Sequence, residues 1–335
     1  MEESRSDILA SEMMGAAMEE AEKVIGNTSP NPWVGCVIAD GCREISRGAT
    51  QPAGGKHAEI IALERAGDLT RGATMYVTLE PCAHKGRTGP CVDAIIGSGI
   101  ERVVIGIQDP DPQVNGAGIA ALAKAGIECI VGVNDTEIRQ QLEPYIKHRE
   151  QTLCYVTLKM AITCDGKIAD SAGNSKWITS QDARQDVQRL RSKSDAILVG
   201  ANTVRIDDPL LTIRPIGDDP PTRQPIRVVW GAIEPRARVQ PALSVTGSCR
   251  QVLRELASQG IINLLIEGGA KTAYEFHKAR LVDRYIIYIA PAFFGGGGAL
   301  SMFEGPQDLP ISDIWRGKFV SVERVGKDIR VELAP

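Results

Sequence analysis

The sequence lacks a long apolar run and lacks the basic-then-apolar start of a secretory signal peptide. A membrane-spanning helix needs roughly 18–20 consecutive apolar residues, and no segment of the 335 residues has that character. The first residues, MEESRSDILASEMM, are acidic rather than basic. These absences predict a cytoplasmic protein with no membrane partner.

The chain also lacks an excess of positive charge and a dense cysteine framework. Its formal net charge is −4 and its pI is about 5.7, whereas proteins that bind nucleic acid through phosphates are usually basic. No basic stripe interleaved with aromatic residues is present, so no nucleic-acid partner is expected. The eight cysteines are scattered, which favours reduced thiols and makes metal binding the first interpretation of any close pair.

Neither an internal repeat nor a low-complexity tract interrupts the sequence, and its length predicts two domains. Helical and strand patterns alternate in both halves, which predicts an α/β fold with a mostly parallel sheet in the first half. The polar stretch EIRQQLEPYIKHREQ is expected to be helical and to end the first domain. A new strand pattern, YVTLKMAIT, begins near residue 155.

Three residues in the first half have the pattern of a catalytic zinc site. His57 opens a predicted helix, Cys82 follows the predicted strand TMYVTLE, and Cys91 lies eight intervening residues further on. One histidine and two cysteines leave the fourth position of a tetrahedral zinc open for water, as catalytic sites do. Glu59 is two residues from His57 and can carry the proton from that water to a leaving amine, so the set predicts a zinc-dependent deaminase.

The spacing of the two cysteines departs from the generic deaminase signature, in which two residues separate them. Here AHKGRTGP separates them, and Gly86, Gly89 and Pro90 would let this loop fold back. His84, next but one to Cys82, is a rival zinc ligand. We favour it as a substrate contact, because three ligands are already present.

Four runs in the first half resemble the bifunctional riboflavin-biosynthesis deaminase–reductase family: TSPNPWVGCVIADG, AGGKHAEIIAL, YVTLEPCAHKGRTGPC and GIQDPDPQVNGAGIAALAKAGIE. The long insertion between the cysteines is that family's own form of the motif. The second half continues the resemblance in LKMAITCDGKIA, GNSKWITS, ARQDVQRLRSKSDAILVGANTVRIDDPLLTIR and LLIEGGA.

The resemblance implies an N-terminal cytidine-deaminase-like domain, residues 1–148, followed by a C-terminal dihydrofolate-reductase-like domain, residues 152–335. It implies one zinc per chain and NADPH as cofactors, and a pyrimidine nucleotide as substrate. The first domain would convert 2,5-diamino-6-ribosylamino-4(3H)-pyrimidinone 5′-phosphate to the 5-aminouracil by loss of ammonia. The second would reduce the ribosyl group to ribityl. A homo-oligomer is expected.

The second half has no G-x-G-x-x-G after a strand, so a Rossmann dinucleotide site is not indicated. AILVG ends at Gly200, where backbone N–H groups could bind a phosphate. Gly268 and Gly269 follow INLLI and allow close backbone approach to a ligand. By resemblance, the cofactor-binding residues are Ala161, Trp177, Thr203, Asp207 and Gly269. By resemblance too, the substrate-binding residues are Ser175, Arg191, Leu211, Arg214 and Glu267, and the two arginines suit a phosphate ester. Lys159 and Asp165 are expected near the reacting centre without an assigned step.

One segment departs from the family pattern. Between IRVVW and the helix SCRQVLRELASQG, residues 231–247 (GAIEPRARVQPALSVTG) are short, and a strand or its connection is expected to be missing or reduced there. A deaminase with a degenerate reductase domain therefore stays open as an alternative to the bifunctional enzyme. A nucleic-acid-editing zinc deaminase is a second alternative, against which the acidic pI counts.

Overall fold

The computed structural model describes residues 5–84, 89–112, 114–215, 221, 223–305 and 310–335. The chain divides into two compact units, Met1–Thr152 and Leu153–Pro335. Each unit is built from helices packed on a sheet. This agrees with the predicted α/β class.

The N-terminal unit has six helices and five strands among its described residues. The helices are α1 (Arg5–Glu22), α2 (Ala58–Ala66), α3 (Cys91–Ser98), α4 (Ala117–Lys124), α5 (Asp135–Gln141) and α6 (Glu143–Gln151), and a 3₁₀ turn covers Gly67–Thr70. The strands are β1 (Gly35–Asp40), β2 (Arg43–Ala49), β3 (Thr74–Leu79), β4 (Arg102–Ile107) and β5 (Glu128–Val131).

The order of strands in this sheet is β2-β1-β3-β4-β5. The pairs β1–β2 and β1–β3 are antiparallel, whereas β3–β4 and β4–β5 are parallel. The expectation of a mostly parallel sheet was therefore wrong. The turn at Asp40-Gly41, where Gly41 has φ 55°, sends the chain directly back as a hairpin, and strands joined in that way must be antiparallel.

The C-terminal unit has four helices and ten strands among its described residues. The helices are α7 (Gln181–Ser192), α8 (Ala201–Asp207), α9 (Cys249–Ser258) and α10 (Ala270–Lys278). The strands are β6 (Tyr155–Thr163), β7 (Lys167–Ala169), β8 (Ala196–Gly200), β9 (Ile226–Trp230), β10 (Leu243–Val245), β11 (Asn263–Ile266), β12 (Arg284–Ala290), β13 (Leu300–Ser301), β14 (Lys318–Val325) and β15 (Asp328–Ala334).

Eight of these strands form one sheet in the order β10-β9-β8-β11-β6-β12-β15-β14, and β7 pairs with β13 separately. The strands from β10 to β12 run parallel, so the carboxyl ends of β8, β11 and β6 lie at one edge of the sheet. Open α/β sheets bind their ligands at such an edge. A buried cluster that includes Leu158, Leu198, Leu253 and Phe276 packs helices α9 and α10 against the sheet.

Residues 231–247 keep a strand at the edge of the sheet. The three residues of β10, at the end of this segment, pair in parallel with Val228, Val229 and Trp230 of β9. The segment also packs on the start of α8, since a Cβ added to Gly231 would lie 2.9 Å from the Cβ of Ala201. The connection from β9 to α9 is short, and it still extends the sheet by one strand.

None of the helices in the described ranges combines the length and the apolar composition that crossing a bilayer requires.

Candidate active sites

Three elements of the N-terminal unit bring the predicted zinc ligands together. His57 is the residue before α2, Cys82 follows the end of β3, and Cys91 is the first residue of α3. The Nδ1 atom of His57 lies 3.2 Å from Cys91 Sγ and 3.6 Å from Cys82 Sγ. Among the described residues, these three form the one group of His, Cys, Asp or Glu side chains whose ligand atoms all lie within 4.8 Å of one another.

The three side chains fit a zinc ion. With Zn–N and Zn–S bonds of about 2.0–2.1 Å and 2.3 Å, a tetrahedral site separates its ligand atoms by roughly 3.5–3.8 Å, close to the spacing found here. None of the eight cysteines is in a disulfide, so both zinc-site sulfurs are available to a metal. The hydrogen bond from Cys91, together with that from His57, lowers the pKa of Cys82, and a thiolate is the form that binds metal.

Glu59 lies in the first turn of α2 and is only 3% exposed. Burial raises its pKa to about 6, and the negative charge of Cys82 acts in the same direction. A carboxyl group with a pKa near neutrality can both accept and return a proton. Glu59 lines the same cavity of about 560 Å³ as His57 and Cys82.

The loop between the cysteines is described only in part, because residues 85–88, and with them Gly86, lie outside the described residues. Pro90 is the N-cap residue of α3, and the backbone N–H of Cys91 donates to Cys82 Sγ over 3.4 Å. His84 is exposed, lines the cavity and is not among the three clustered ligands.

A polar wall of this cavity was missed by the sequence reasoning. The buried carboxylate of Glu80 accepts four backbone N–H groups, from Asp109, Gly116, Gly118 and Ile119, at 2.8–3.2 Å. Glu80 follows β3 and Asp109 follows β4, and these neighbouring strands are parallel. Polar residues directly after two such strands were the available signal, because their carboxyl ends meet at one edge.

Asp109, Asp111, Tyr145 and Arg149 continue this wall. The Tyr145 hydroxyl donates to Asp109 Oδ1 over 3.2 Å, and Arg149 Nε lies 3.5 Å from Asp111 Oδ2. Burial raises the pKa of Asp109 to about 6. The first cavity therefore combines metal-binding side chains with a wall rich in hydrogen-bonding groups.

The C-terminal unit contains a second cavity, of about 580 Å³, at the carboxyl ends of β8, β11 and β6. It brings together all ten residues that the resemblance assigned to cofactor or substrate. They are Ala161, Trp177, Thr203, Asp207 and Gly269 for the cofactor, and Ser175, Arg191, Leu211, Arg214 and Glu267 for the substrate.

Arg191, which the resemblance assigned to the substrate, forms an ion pair within the protein. Its Nε and one terminal nitrogen donate to the two carboxylate oxygens of Glu267, at 2.6 and 3.0 Å, and its other terminal nitrogen donates to the carbonyl of Thr212 at 2.8 Å. The guanidinium is occupied because a buried carboxylate requires a partner. Arg191 thus orients Glu267. Among the described residues, none forms a hydrogen bond or ion pair with the side chain of Arg214, whose backbone N–H donates to Gln188 Oε1.

Lys159 joins this pair on the cavity wall. Burial lowers the pKa of Lys159, and the charge of Glu267 opposes that effect. Burial alone would raise the pKa of Glu267, but the charge and hydrogen bonds of Arg191 outweigh it and the pKa is lowered. Asp165, by contrast, is outside the cavity lining and accepts the backbone N–H groups of Phe294 and Gly295.

The cofactor residues surround the other part of the cavity. Trp177 is 65% exposed, and the guanidinium of Arg184 stacks on its ring at 4.4 Å. Gly269 donates its backbone N–H to Thr203 Oγ1 over 3.2 Å, which links the start of α10 to α8. A Cβ added to Gly200 would lie 2.5 Å from Thr272 Oγ1, so glycine is needed where β8 and α10 approach.

Comparison with known families assigns the two units separately. The profile of the cytidine and deoxycytidylate deaminase zinc-binding region matches residues 8–107, and that of the RibD C-terminal domain matches residues 154–331. The riboflavin biosynthesis protein RibD of Aquifex aeolicus is 38% identical and covers 94% of this chain and 96% of its own. That of Mycobacterium tuberculosis is 39% identical and covers 96% of each chain.

Solved structures of similar proteins superpose on nearly the whole chain. RibD of Acinetobacter baumannii superposes with a TM-score of 0.93 at 34% identity, covering 98% of this chain and 99% of its own. A diaminohydroxyphosphoribosylaminopyrimidine deaminase/5-amino-6-(5-phosphoribosylamino)uracil reductase from Thermotoga maritima has a TM-score of 0.88 at 36% identity, covering 99% and 100%.

The fold and the two cavities define a zinc-dependent deaminase joined to an NADPH-dependent reductase. The chain belongs to the RibD family of riboflavin biosynthesis proteins. The predicted fold class, bifunctional activity and cofactors are thereby confirmed.

Proposed function

We propose that the first cavity deaminates 2,5-diamino-6-ribosylamino-4(3H)-pyrimidinone 5′-phosphate and that the second reduces the product to 5-amino-6-ribitylamino-uracil 5′-phosphate. The observation that carries the proposal is the cluster of His57, Cys82 and Cys91, together with Glu59, which lines the same cavity as His57 and Cys82. The Thermotoga maritima relative, which bears the names of both activities, supports these substrates.

In the deaminase step, His57, Cys82 and Cys91 hold the zinc. When bound, zinc lowers the pKa of water toward about 7 and so supplies hydroxide at neutral pH. The carboxylate of Glu59 takes a proton from the attacking water and delivers it to the amine, which leaves as ammonia while the ring carbon gains the oxygen. His84, exposed at the cavity, is assigned to substrate contact.

In the reductase step, Trp177, Thr203, Asp207, Gly269 and Ala161 hold the cofactor. NADPH, when bound, supplies the hydride that converts ribosyl to ribityl. The Arg214 guanidinium binds the substrate phosphate, with Ser175 and Leu211 beside it. Glu267 and Lys159 form the buried charged pair that faces the ribosyl group, and Arg191 holds Glu267 in position.

We assign the deaminase to residues 1–148 and the reductase to residues 152–335. The enzyme works on a small molecule in the cytoplasm, where free thiols stay reduced. The net charge of −4 argues against a nucleic-acid substrate.

A coupled assay tests the proposal. With the diaminopyrimidine substrate alone, the full chain should release ammonia, and added NADPH should then be oxidised. Glu59→Gln should keep its zinc and lose about 10²- to 10⁴-fold in deamination, because the amide cannot accept the proton. The same variant should oxidise NADPH normally when the deaminated substrate is supplied directly.

The outcomes separate the alternatives. Ammonia release without NADPH oxidation would leave a deaminase with a degenerate reductase domain. Release of ammonia from a tRNA or single-stranded DNA, and not from the pyrimidine, would leave a nucleic-acid-editing enzyme.

A homo-oligomer is also proposed, and the edge strand β14 supports it. Phe319 and Val322 on this strand are 72% and 60% exposed, and β14 ends the eight-stranded sheet. Exposed apolar edges invite pairing with another strand, and β14 of a second copy can pair with it antiparallel about a twofold axis.

Light scattering after size exclusion tests this interface. Val322→Lys should give a monomer. Ile130→Lys, on the edge strand β5 of the other sheet, is the matched control and should remain oligomeric. A monomeric wild-type chain would exclude a homo-oligomer, and an oligomeric Val322→Lys would exclude this edge as the interface.

A further inference from the structure

The reductase cavity must distinguish two phosphate groups if the proposed function is correct. One belongs to the substrate. The other is the 2′-phosphate on the adenosine ribose of NADPH, which is the group that NADH lacks. A carboxylate near that ribose favours the 2′-hydroxyl of NADH, and an arginine beside it accommodates the phosphate. The cavity contains Asp207, which the resemblance assigns to the cofactor, with Asp208 next to it in the chain, and binding of the 2′-phosphate requires a cation on this side of the cavity.

Six cationic side chains line this cavity: Lys159, Lys176, Arg184, Arg191, Arg214 and Arg238. Three of them are already engaged by the protein. Arg191 is paired with Glu267, and Lys159 is buried beside the same carboxylate. Arg184 stacks on Trp177 and donates to the carbonyl of Thr179 over 2.7 Å. Lys176, Arg214 and Arg238 are left for the phosphates.

Arg214 lies on the substrate side. Its backbone N–H donates to Gln188 Oε1 over 3.0 Å, and Gln188 is on α7, the helix that carries Arg191. Arg191 in turn holds Glu267. The neighbours of Arg214 are therefore those expected to face the ribosyl phosphate of the substrate.

Arg238 lies on the cofactor side. Its backbone N–H donates to Asp208 Oδ1 over 2.8 Å, and Asp208 directly follows Asp207 at the end of α8. The same helix carries Thr203, which accepts the N–H of Gly269. The Arg238 side chain is exposed, and no described carboxylate lies within ion-pair distance of its guanidinium.

We infer that Arg238 binds the 2′-phosphate of NADPH and makes the reductase prefer NADPH to NADH. The hydrogen bond from the Arg238 backbone N–H to Asp208 anchors residues 231–247 at the end of α8 and keeps the Arg238 side chain on the cofactor side of the cavity. The guanidinium can donate two parallel hydrogen bonds to one phosphate. The short segment thereby supplies the selectivity of the cofactor site. This inference rests on the proposed reductase function.

Binding of NADPH and of NADH to the full zinc-loaded chain, measured by calorimetry without substrate, tests the assignment. The wild-type chain should bind NADPH more tightly. Arg238→Ala should weaken NADPH binding by about 10-fold or more, since hydrogen bonds to charged groups are of that strength. Its affinity for NADH should stay within about twofold, because NADH has no 2′-phosphate, and that unchanged affinity also shows that the site is folded.

Arg214→Ala and Lys176→Ala are the matched controls, and both should keep the preference for NADPH. Loss of the preference in Lys176→Ala, or an Arg238→Ala variant that still prefers NADPH, would overturn the assignment while the reductase function stands. A wild-type chain that binds neither dinucleotide would overturn both. If Arg238→Ala does not fold, Arg238→Lys should keep part of the preference and Arg238→Gln should lose it.

Discussion

Single residues decide whether the first cavity holds its metal. His57, Cys82 and Cys91 offer three ligand atoms within 4.8 Å of one another, and removing one leaves two. Two-ligand sites bind zinc weakly. Loss of one ligand should therefore lower the metal content and the rate of ammonia release together.

Replacing Cys82 or Cys91 with Ser should lower the zinc content well below one per chain and lower ammonia release in proportion. Elemental analysis and a deaminase assay on the same preparation measure both. Cys42→Ser is the matched control, because Cys42 is exposed and outside the cluster. Full zinc occupancy in Cys82→Ser and Cys91→Ser would contradict the ligand set.

The roles of single residues were predictable from the sequence where the residues that act together are close in the chain. His57 and Glu59 are two positions apart at the start of one helix, so their roles follow from spacing. The use of Arg191 was not predictable, because its partner Glu267 is 76 positions away. An arginine suits a phosphate and a carboxylate equally well, and only the folded chain, which brings Arg191 of α7 next to Glu267 after β11, reveals the carboxylate partner.

At the scale of elements, the side chain of Glu80 fixes the connection between β4 and α4 through hydrogen bonds. Glu80 accepts two N–H groups from the connection between β4 and α4 and two from the first turn of α4. The same connection carries Asp109 and Asp111 into the cavity. Glu80 is therefore a positioning residue for the polar wall of the first cavity.

Glu80→Gln should raise the KM of the deaminase by about 10-fold and leave the zinc content unchanged. The amide presents its NH₂ group to donors, which leaves buried N–H groups unpaired at a cost of about 1–3 kcal/mol each. Steady-state kinetics and elemental analysis measure the two effects. Glu64→Gln, which breaks only the exposed ion pair with Lys56, should change neither. A large fall in kcat with unchanged KM would argue against this role.

The elements missed by the sequence reasoning are those without a clear apolar pattern. Strand β2 (REISRGA) has a polar, half-exposed sequence, and β14 is exposed along nearly its full length. Both exist because a neighbouring strand supplies the hydrogen bonds, β1 for β2 and β15 for β14. Pairing of this kind depends on tertiary context more than on local propensity.

At the scale of the whole molecule, each unit has its own sheet and its own cavity. The fragment 1–152 should therefore fold, bind zinc and release ammonia at a rate within a few-fold of the full chain. The fragment 153–335 is the counterpart and should bind NADPH without zinc. A folded, zinc-loaded but inactive fragment 1–152 would mean that the C-terminal half completes the deaminase site.

The strand order of the eight-stranded sheet has a consequence for synthesis on the ribosome. Strand β6 is made first, and its described partners in that sheet are β11 and β12, which follow roughly a hundred residues later. At about 5–20 residues per second, the apolar β6 waits several seconds or more for its partners. The N-terminal unit is already complete by then. The apolar surface that is exposed during translation therefore belongs to unpaired strands of the reductase half.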